Sequence, residues 1–291
     1  MNLIHKNRFG FYELKEKPTP EKLAKYYSKE YYQKSLSNYK KTYSEAEISY
    51  LKIKLEEKYI VLKNILPDIE DINTNFLDIG AGEGWAIDFF KTKGWNCTGL
   101  DFSDFGCELH NPHCKEDLIV GDIQKNIPLL IKKRKRYDII WMSNLLEHVL
   151  EPLSLLKDVR KLASEKCVLV IEVPNDFSFI QQYLLEKDYV SYPYWIAYPA
   201  HISYFNRDGL ISICKESNWQ MKEIIGSYSI EFNLFNENTN YVNNKSVGKS
   251  CHKARIDIEN ALFGNYPEKV IEMYRIFGEI GIGRGIVGFF Q

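Results

Sequence analysis

Residues 76–84 read Phe-Leu-Asp-Ile-Gly-Ala-Gly-Glu-Gly, an apolar run that ends in an acid and passes at once into three glycines at alternate positions. A buried strand that continues from Asp78 through Gly80, Gly82 and Gly84 has to turn sharply. Its backbone can then approach a ligand more closely than any residue with a side chain permits, with a helix N-terminus just beyond. Two nucleotide-cofactor classes use such a turn. The dinucleotide fingerprint Gly-x-Gly-x-x-Gly is not met, because the third glycine comes one residue early and Trp85 follows it, too large for close helix–strand packing.

Three more apolar runs follow in order. Trp95–Leu100 ends in Asp101, Leu118–Gly121 ends in Asp122, and Tyr137–Ser143 leads into Asn144-Leu145-Leu146-Glu147-His148-Val149. Each acid falls at the carboxyl end of its strand, where open parallel sheets bind ligands. Cys167–Pro174 is apolar almost without interruption, as suits a parallel strand covered on both faces. Alternation of strand and helix over roughly residues 73–226 predicts an α/β fold with a doubly wound, mostly parallel sheet.

The pattern acidic-x-Gly-x-Gly-x-Gly resembles motif I of the class I S-adenosylmethionine-dependent methyltransferases. The resemblance implies a Rossmann-like core and S-adenosylmethionine as cofactor. It implies that Asp78, Gly80, Gly82 and Gly84 cradle the cofactor and that Asp101, with Phe102 beside it, accepts both ribose hydroxyls. Asp122 would meet the adenine amino group, Ile123 would lie against the ring, and Ser143 would close the site at the end of the fourth strand. The segment Asn144–Val149 is similar to the post-strand-four segment of ubiquinone-type and sugar-modifying methyltransferases. Tyr198-Pro-Ala-His201-Ile-Ser-Tyr204-Phe resembles the Tyr-x-Glu-His-x-x-Tyr-Phe stretch of sugar C-methyltransferases, whose tyrosine and histidine serve the chemistry. By that likeness His201, His148 and Tyr198 are the catalytic candidates. Ala200 replaces the glutamate and the preceding cysteine-rich zinc module of those enzymes is absent, which shifts the expected acceptor from carbon to oxygen.

Some of these relatives hold a divalent cation in the post-strand-four segment, and Glu147 and His148 match two of its ligands. Asn144 stands where the ubiquinone-type pattern has another glutamate, a poor exchange for a hard cation, and no metal is assigned. Cys107, His110, His113 and Cys114 have residue types that suit zinc but lack a second, matching half.

The 38 lysines and arginines against 39 acids leave a net charge of −1, which gives no global attraction to nucleic acid or an anionic membrane. No apolar stretch approaches the roughly 20 residues that span a bilayer, and the first residues run straight into charges, so a cytoplasmic enzyme is expected. Six scattered cysteines fit reduced thiols. The run Lys132–Arg136 reads as a solvated loop.

Residues 1–72 read as a helical N-terminal cap, with Thr19 and Pro20 as a helix start and tyrosines near helical spacing. Among these, the Tyr31 or Tyr32 hydroxyl is a candidate to reach the methionine moiety of the cofactor. The core spans 73–226. Within it, the aromatic-rich insert 175–206 after strand five overhangs the cofactor mouth, with Tyr194, Trp195 and Tyr204 as a substrate wall and the neighbouring Arg207 as a phosphate partner. Residues 227–291 form a C-terminal extension, with a helix near 256–277 and a terminal strand that completes the sheet. The expected partner is a small molecule; oligomeric state is not legible.

An alcohol acceptor has to lose its proton as it attacks, a general-base contribution of about 10²- to 10⁴-fold, whereas a neutral amine attacks unaided. The favoured activity is O-methylation of a sugar or nucleotide-linked sugar, in surface polysaccharide or related small-molecule biosynthesis of bacterial type. The rate is then expected to fall as pH drops through the histidine value, roughly 6.5. The alternatives are N-methylation of an amino sugar or small amine, and a non-catalytic cofactor-binding partner protein.

Overall fold

The computed structural model describes residues 3–19, 42–70 and 73–291. Strands β1 (Ile4–Lys6) and β2 (Tyr12–Leu14) form a hairpin. Helix α1 (Glu45–Ile65) starts at Ser44, whose hydroxyl accepts the Glu47 N–H while the Glu47 carboxylate accepts the Ser44 N–H. Strand–helix alternation follows: β3 (Asn75–Ile79), α2 (Trp85–Thr92), β4 (Asn96–Asp101), α3 (Phe105–His110), β5 (Leu118–Val120), α4 (Ile123–Lys132), β6 (Tyr137–Ser143), α5 (Pro152–Arg160) and β7 (Ala163–Pro174). The chain ends with α6 (Phe179–Glu186), β8 (Ser203–Tyr204), α7 (Arg207–Glu216), β9 (Met221–Gly226), α8 (Gly248–Asn265), α9 (Pro267–Ile280) and β10 (Gly285–Phe290).

Seven strands form one sheet in the order β5-β4-β3-β6-β7-β10-β9. From β5 to β7 all neighbours are parallel, and β10 runs antiparallel to both β7 and β9. The chain winds outward from β3 to β5, then returns to β6 on the other side of β3, so the switch point lies between β3 and β6. Both faces are covered. Ile140 and Met142 of β6 pack with Leu155, Leu156 and Leu210 from α5 and α7. Ile139 and Trp141 pack with Leu62, Phe90 and Ile271 from α1, α2 and α9. Adjacent residues thus enter opposite cores, which is why these strands lack a polar alternation.

The structure departs from the sequence reading at both ends. The described part of the N-terminal segment is a hairpin as well as a helix: β2 pairs with β8, and Ile4, Leu14, Ile202 and Tyr204 make a small core of their own. Strands of three residues are too short to display a period of two. Pro20 and the tyrosines at 26, 27, 31, 32 and 39 lie outside the described residues. At the other end the single helix read near 256–277 is two helices broken at Tyr266, the residue before Pro267. β10 lies between β7 and β9, inside the sheet. Lys132–Arg136 is exposed, as read.

The C-terminal helices also brace α1. Half-buried Lys54 of α1 makes ion pairs with Glu57 and with Glu259 of α8, and the Tyr274 hydroxyl of α9 donates to Glu259 at 2.6 Å. One residue turn further along α1, Lys58 reaches the carboxyl ends of the central strands.

Candidate active site

Gly80, Gly82 and Gly84 all adopt left-handed backbone, with φ of 82°, 55° and 78°. The Gly80 and Ala81 N–H groups both donate to the Leu100 carbonyl, at 2.8 and 3.1 Å, so the turn is tied to β4. Asp101 at the end of β4 accepts the Gly82 N–H at 2.8 Å on Oδ2 and the Ser103 N–H at 3.1 Å on Oδ1. A Cβ on Gly84 would lie 3.0 Å from Cys107 Sγ and require strained backbone. Gly84→Ala should therefore cost about 1–2 kcal/mol, read as a lower melting temperature; an unchanged one would contradict this loop geometry.

Within the loop, Glu83 is buried. The Tyr43 hydroxyl lies 3.0 and 2.9 Å from its two oxygens and Trp85 Nε1 donates to it at 2.6 Å. Tyr43 also packs its ring against His110 and Trp85. The chain just ahead of α1 thereby clasps the glycine loop. Asp78 is buried and pushed up to about 8, by burial first and by Asp101 second, against the pull of Lys58. Lys58 Nζ donates to Glu172 at 2.7 Å, and Ser143 Oγ donates to the same carboxylate at 2.6 Å. Burial raises Glu172 most, yet Lys58, the Ser143 hydroxyl and Lys54 together outweigh it and hold that carboxyl below its ordinary range.

These residues fit S-adenosylmethionine. Asp101 accepts the Gly82 and Ser103 N–H groups, and a carboxylate with about four lone-pair sites suits the ribose hydroxyls as well. Asp122 caps α4 by accepting the Gln124 N–H at 2.9 Å, which fixes it at the mouth beyond β5, and Ile123 is buried beside it. Phe102 packs against the core next to Asp101.

Across the sheet edge from the loop, the segment after β6 meets the end of the insert. The Ile202 N–H donates to the Glu147 carbonyl at 2.8 Å, and His148 Nδ1 lies 2.8 Å from the Ala200 carbonyl. A carbonyl only accepts, so Nδ1 carries the proton and Nε2 presents a lone pair, 3.8 Å from Glu147 Oε1. The His148 and His201 rings meet edge to face with centroids 4.9 Å apart. Glu147 Oε2 and His201 Nδ1 are both buried without a hydrogen-bond partner. Burial, aided by Asp176 and Glu172, pushes Glu147 up to about 8. Burial first, then His148 and Arg284, holds His201 down to about 3, and burial also lowers His148. At neutral pH the group is therefore two neutral imidazoles beside a mostly protonated carboxyl. The ligand-type atoms of Glu147, His148 and His201 lie within 4.8 Å of one another, a spacing that a cation could bridge and that a proton crosses through an intervening hydroxyl or water. Asn144, read as a replaced metal ligand, is a turn residue: its φ of 50° is left-handed, a conformation asparagine tolerates.

The two histidines expected to act come together; Tyr198 does not join them and is 58% exposed. Trp195 and Tyr204 are corrections. Both are buried, Tyr204 paired through β8 to Tyr12 with its hydroxyl donating to the His201 carbonyl at 3.2 Å, and Trp195 against Phe177, so their rings pack the insert and are not exposed on its surface. Arg207 stands at the start of α7, where Nη1 pairs with Asp208 at 2.8 Å while Nε is buried without a hydrogen-bond partner. Tyr194 keeps a buried hydroxyl without a partner. Cys107 and His110 turn away from any zinc-like group, to the Asn111 carbonyl and Glu83; His113 and Cys114 lie near Asp88. Lys58, Glu172, Asp176, Glu231 and Arg284 were not read as site residues, and Glu147 was read only as a match to a cation ligand. The signal was present for some: Glu172 is a charge inside an apolar strand, and Arg284 stands alone between glycines.

A methyltransferase domain family matches residues 50–224, more than half of the chain. The ubiquinone biosynthesis O-methyltransferase of Pelagibacter ubique (strain HTCC1062) is 25% identical over 184 residues, covering 60% of this chain and 72% of that protein. Its counterpart from Histophilus somni (strain 2336) is 30% identical over 105 residues, but the match spans only 44% of that protein. The fold is shared with a SAM dependent methyltransferase from Archaeoglobus fulgidus, at a TM-score of 0.50 and 17% identity over 82% of this chain and 93% of that one. With the glycine loop, the acids at the strand ends and this match in hand, the chain belongs to the methyltransferase domain family and is a class I S-adenosylmethionine-dependent methyltransferase.

Proposed function

We propose that this enzyme methylates a hydroxyl of a sugar or nucleotide-linked sugar. The observation that carries the oxygen acceptor is the Glu147, His148 and His201 group beyond the carboxyl end of β6, in which His201 Nδ1 is buried without a hydrogen-bond partner and can take a proton. When bound, the cofactor supplies a methyl group made electrophilic by its sulfonium, so no further activation is needed on that side. His148 Nε2 or His201 accepts the hydroxyl proton as the oxygen attacks. The Ala200 carbonyl holds the His148 tautomer in which Nε2 is the basic nitrogen. An ionised Glu147 favours the imidazolium that forms. The curated relatives are named for O-methylation, which supports oxygen. For the sugar, the support is the polar, hydrogen-bonding character of the buried side chains beside the histidines.

The expected pH dependence differs from that of an ordinary histidine. His201 stays neutral down to about 3, so its protonation does not limit the rate near 6.5. Glu147 ionises near 8, and its charge strengthens the neighbouring base, so the rate should rise as pH climbs through about 8. Initial rates of labelled methyl transfer to nucleotide-linked sugars, measured with EDTA present, should show this limb. Glu147→Gln should flatten it and lower the upper plateau roughly tenfold or more. A limb that survives in the glutamine variant assigns it to the acceptor and contradicts the role of Glu147.

A further inference from the structure

Beside the histidines lies a second buried polar group that proton transfer does not use. It comprises Asp176, two residues past β7; Gln181 on α6; Tyr194 in the insert; Glu231 after β9; and Arg284, just ahead of β10. Arg284 Nη1 donates to Asp176 Oδ1 at 3.3 Å, and its Nε lies 3.6 Å from Glu231 Oε1. Gln181 Nε2 donates to Glu231 Oε1 at 3.4 Å, and Ser229 Oγ donates to Oε2 at 3.2 Å. Asp176, Gln181 and Glu231 are fully buried, at 0% exposure. Even so, Asp176 Oδ2, Gln181 Oε1 and the Tyr194 hydroxyl are buried without a hydrogen-bond partner.

Each such atom costs about 1–3 kcal/mol if it stays unpaired, so three in one place point to a ligand that supplies their partners. Their chemistry selects it. Gln181 Oε1 only accepts, Asp176 Oδ2 only accepts once the carboxyl, pushed up to about 7 by burial, is ionised, and the tyrosine can accept as well. Two carboxyl groups face one guanidinium, whose contacts are longer than the roughly 2.7–2.9 Å of tight charge-assisted pairs. The group therefore asks for donors and carries no surplus of positive charge. It also adjoins the histidine cluster, since Asp176 acts on Glu147 and Arg284 acts on His201.

We infer that Asp176, Gln181, Tyr194, Glu231 and Arg284 form the subsite that anchors the acceptor beside its reacting hydroxyl, recognising a donor-rich group without negative charge and rejecting carboxylate or phosphate there. Ring hydroxyls and a sugar ammonium share that chemistry. The inference rests on the sugar reading above and names which sugars qualify.

The full chain loaded with S-adenosylhomocysteine should be titrated, by ligand-observed NMR, with methyl α-glucoside, glucosamine and glucuronate. The two probes without negative charge should bind, the better of them showing which donor the subsite prefers, and glucuronate should bind about tenfold more weakly or not at all. Asp176→Asn should weaken the better probe about tenfold and leave cofactor affinity unchanged, which also shows that the variant is folded; Glu231→Gln is the second variant with the same expectation. Glucuronate binding as tightly as the others, or both variants binding like the parent, would overturn the subsite. If the parent methylates nucleotide-linked sugars while both variants match it in binding and turnover, the subsite is wrong and the sugar reading stands. If the parent binds none of the three probes and methylates no nucleotide-linked sugar, the sugar reading falls and the subsite falls with it.

Discussion

Asp101→Ala should weaken S-adenosylmethionine binding by about 100-fold or more. The carboxylate is buried and accepts from Gly82 and Ser103, and the ribose hydroxyls would use its remaining lone pairs. A hydrogen bond to a charged group contributes about 1.5–3 kcal/mol, and two are lost, while the Gly82 N–H that shapes the loop also loses its acceptor. Calorimetry with the purified variant measures this directly. Affinity equal to that of the parent would mean that Asp101 serves the loop alone and that the ribose is held elsewhere.

The second large effect concerns proton transfer. His201→Ala and His148→Ala should each lower turnover by about 10²-fold or more, with cofactor affinity nearly unchanged, because the rings belong to the segment after β6 and the end of the insert and not to the glycine loop or β4. The double variant should fall little below the worse single one if the two rings and Glu147 act as one unit, since effects within a unit do not add. Steady-state rates and calorimetry on the same preparations separate the two quantities. Full turnover in both single variants would remove the histidines from the chemistry and favour an amine acceptor, which needs no base.

Much of the cofactor side was legible in the sequence because each of its parts is local. A glycine turn, and an acid at the end of an apolar strand, are properties of a few adjacent residues, and parallel winding brings the strand ends together. The acceptor side was harder to read because it is assembled across distance. His148 meets His201 only because the segment after β6 pairs with the end of the insert, and Asp176 meets Arg284 only because the last strand enters the sheet beside β7. Aromatic density in the insert suggested a substrate wall, but Tyr204 packs against Ile4 and Leu14 of the N-terminal hairpin and Trp195 packs against Phe177 within the insert. That hairpin was itself illegible, since three-residue strands leave no periodicity. Lys58 and Glu172 show the converse: charges inside apolar patterns, which the structure explains as one buried ion pair at the strand ends.

The central claim is that a hydroxyl presented to the His148 and His201 pair receives the cofactor's methyl group. It is tested most directly by incubating the full chain with S-adenosylmethionine carrying a carbon-13 methyl and a panel of nucleotide-linked sugars, then reading the product by mass and by NMR. The account predicts one methyl added, with the chemical shift of a methoxy carbon, on a product that the His201→Ala variant forms far more slowly. A label on nitrogen or carbon, or no transfer from enzyme shown to be saturated with cofactor, would contradict it.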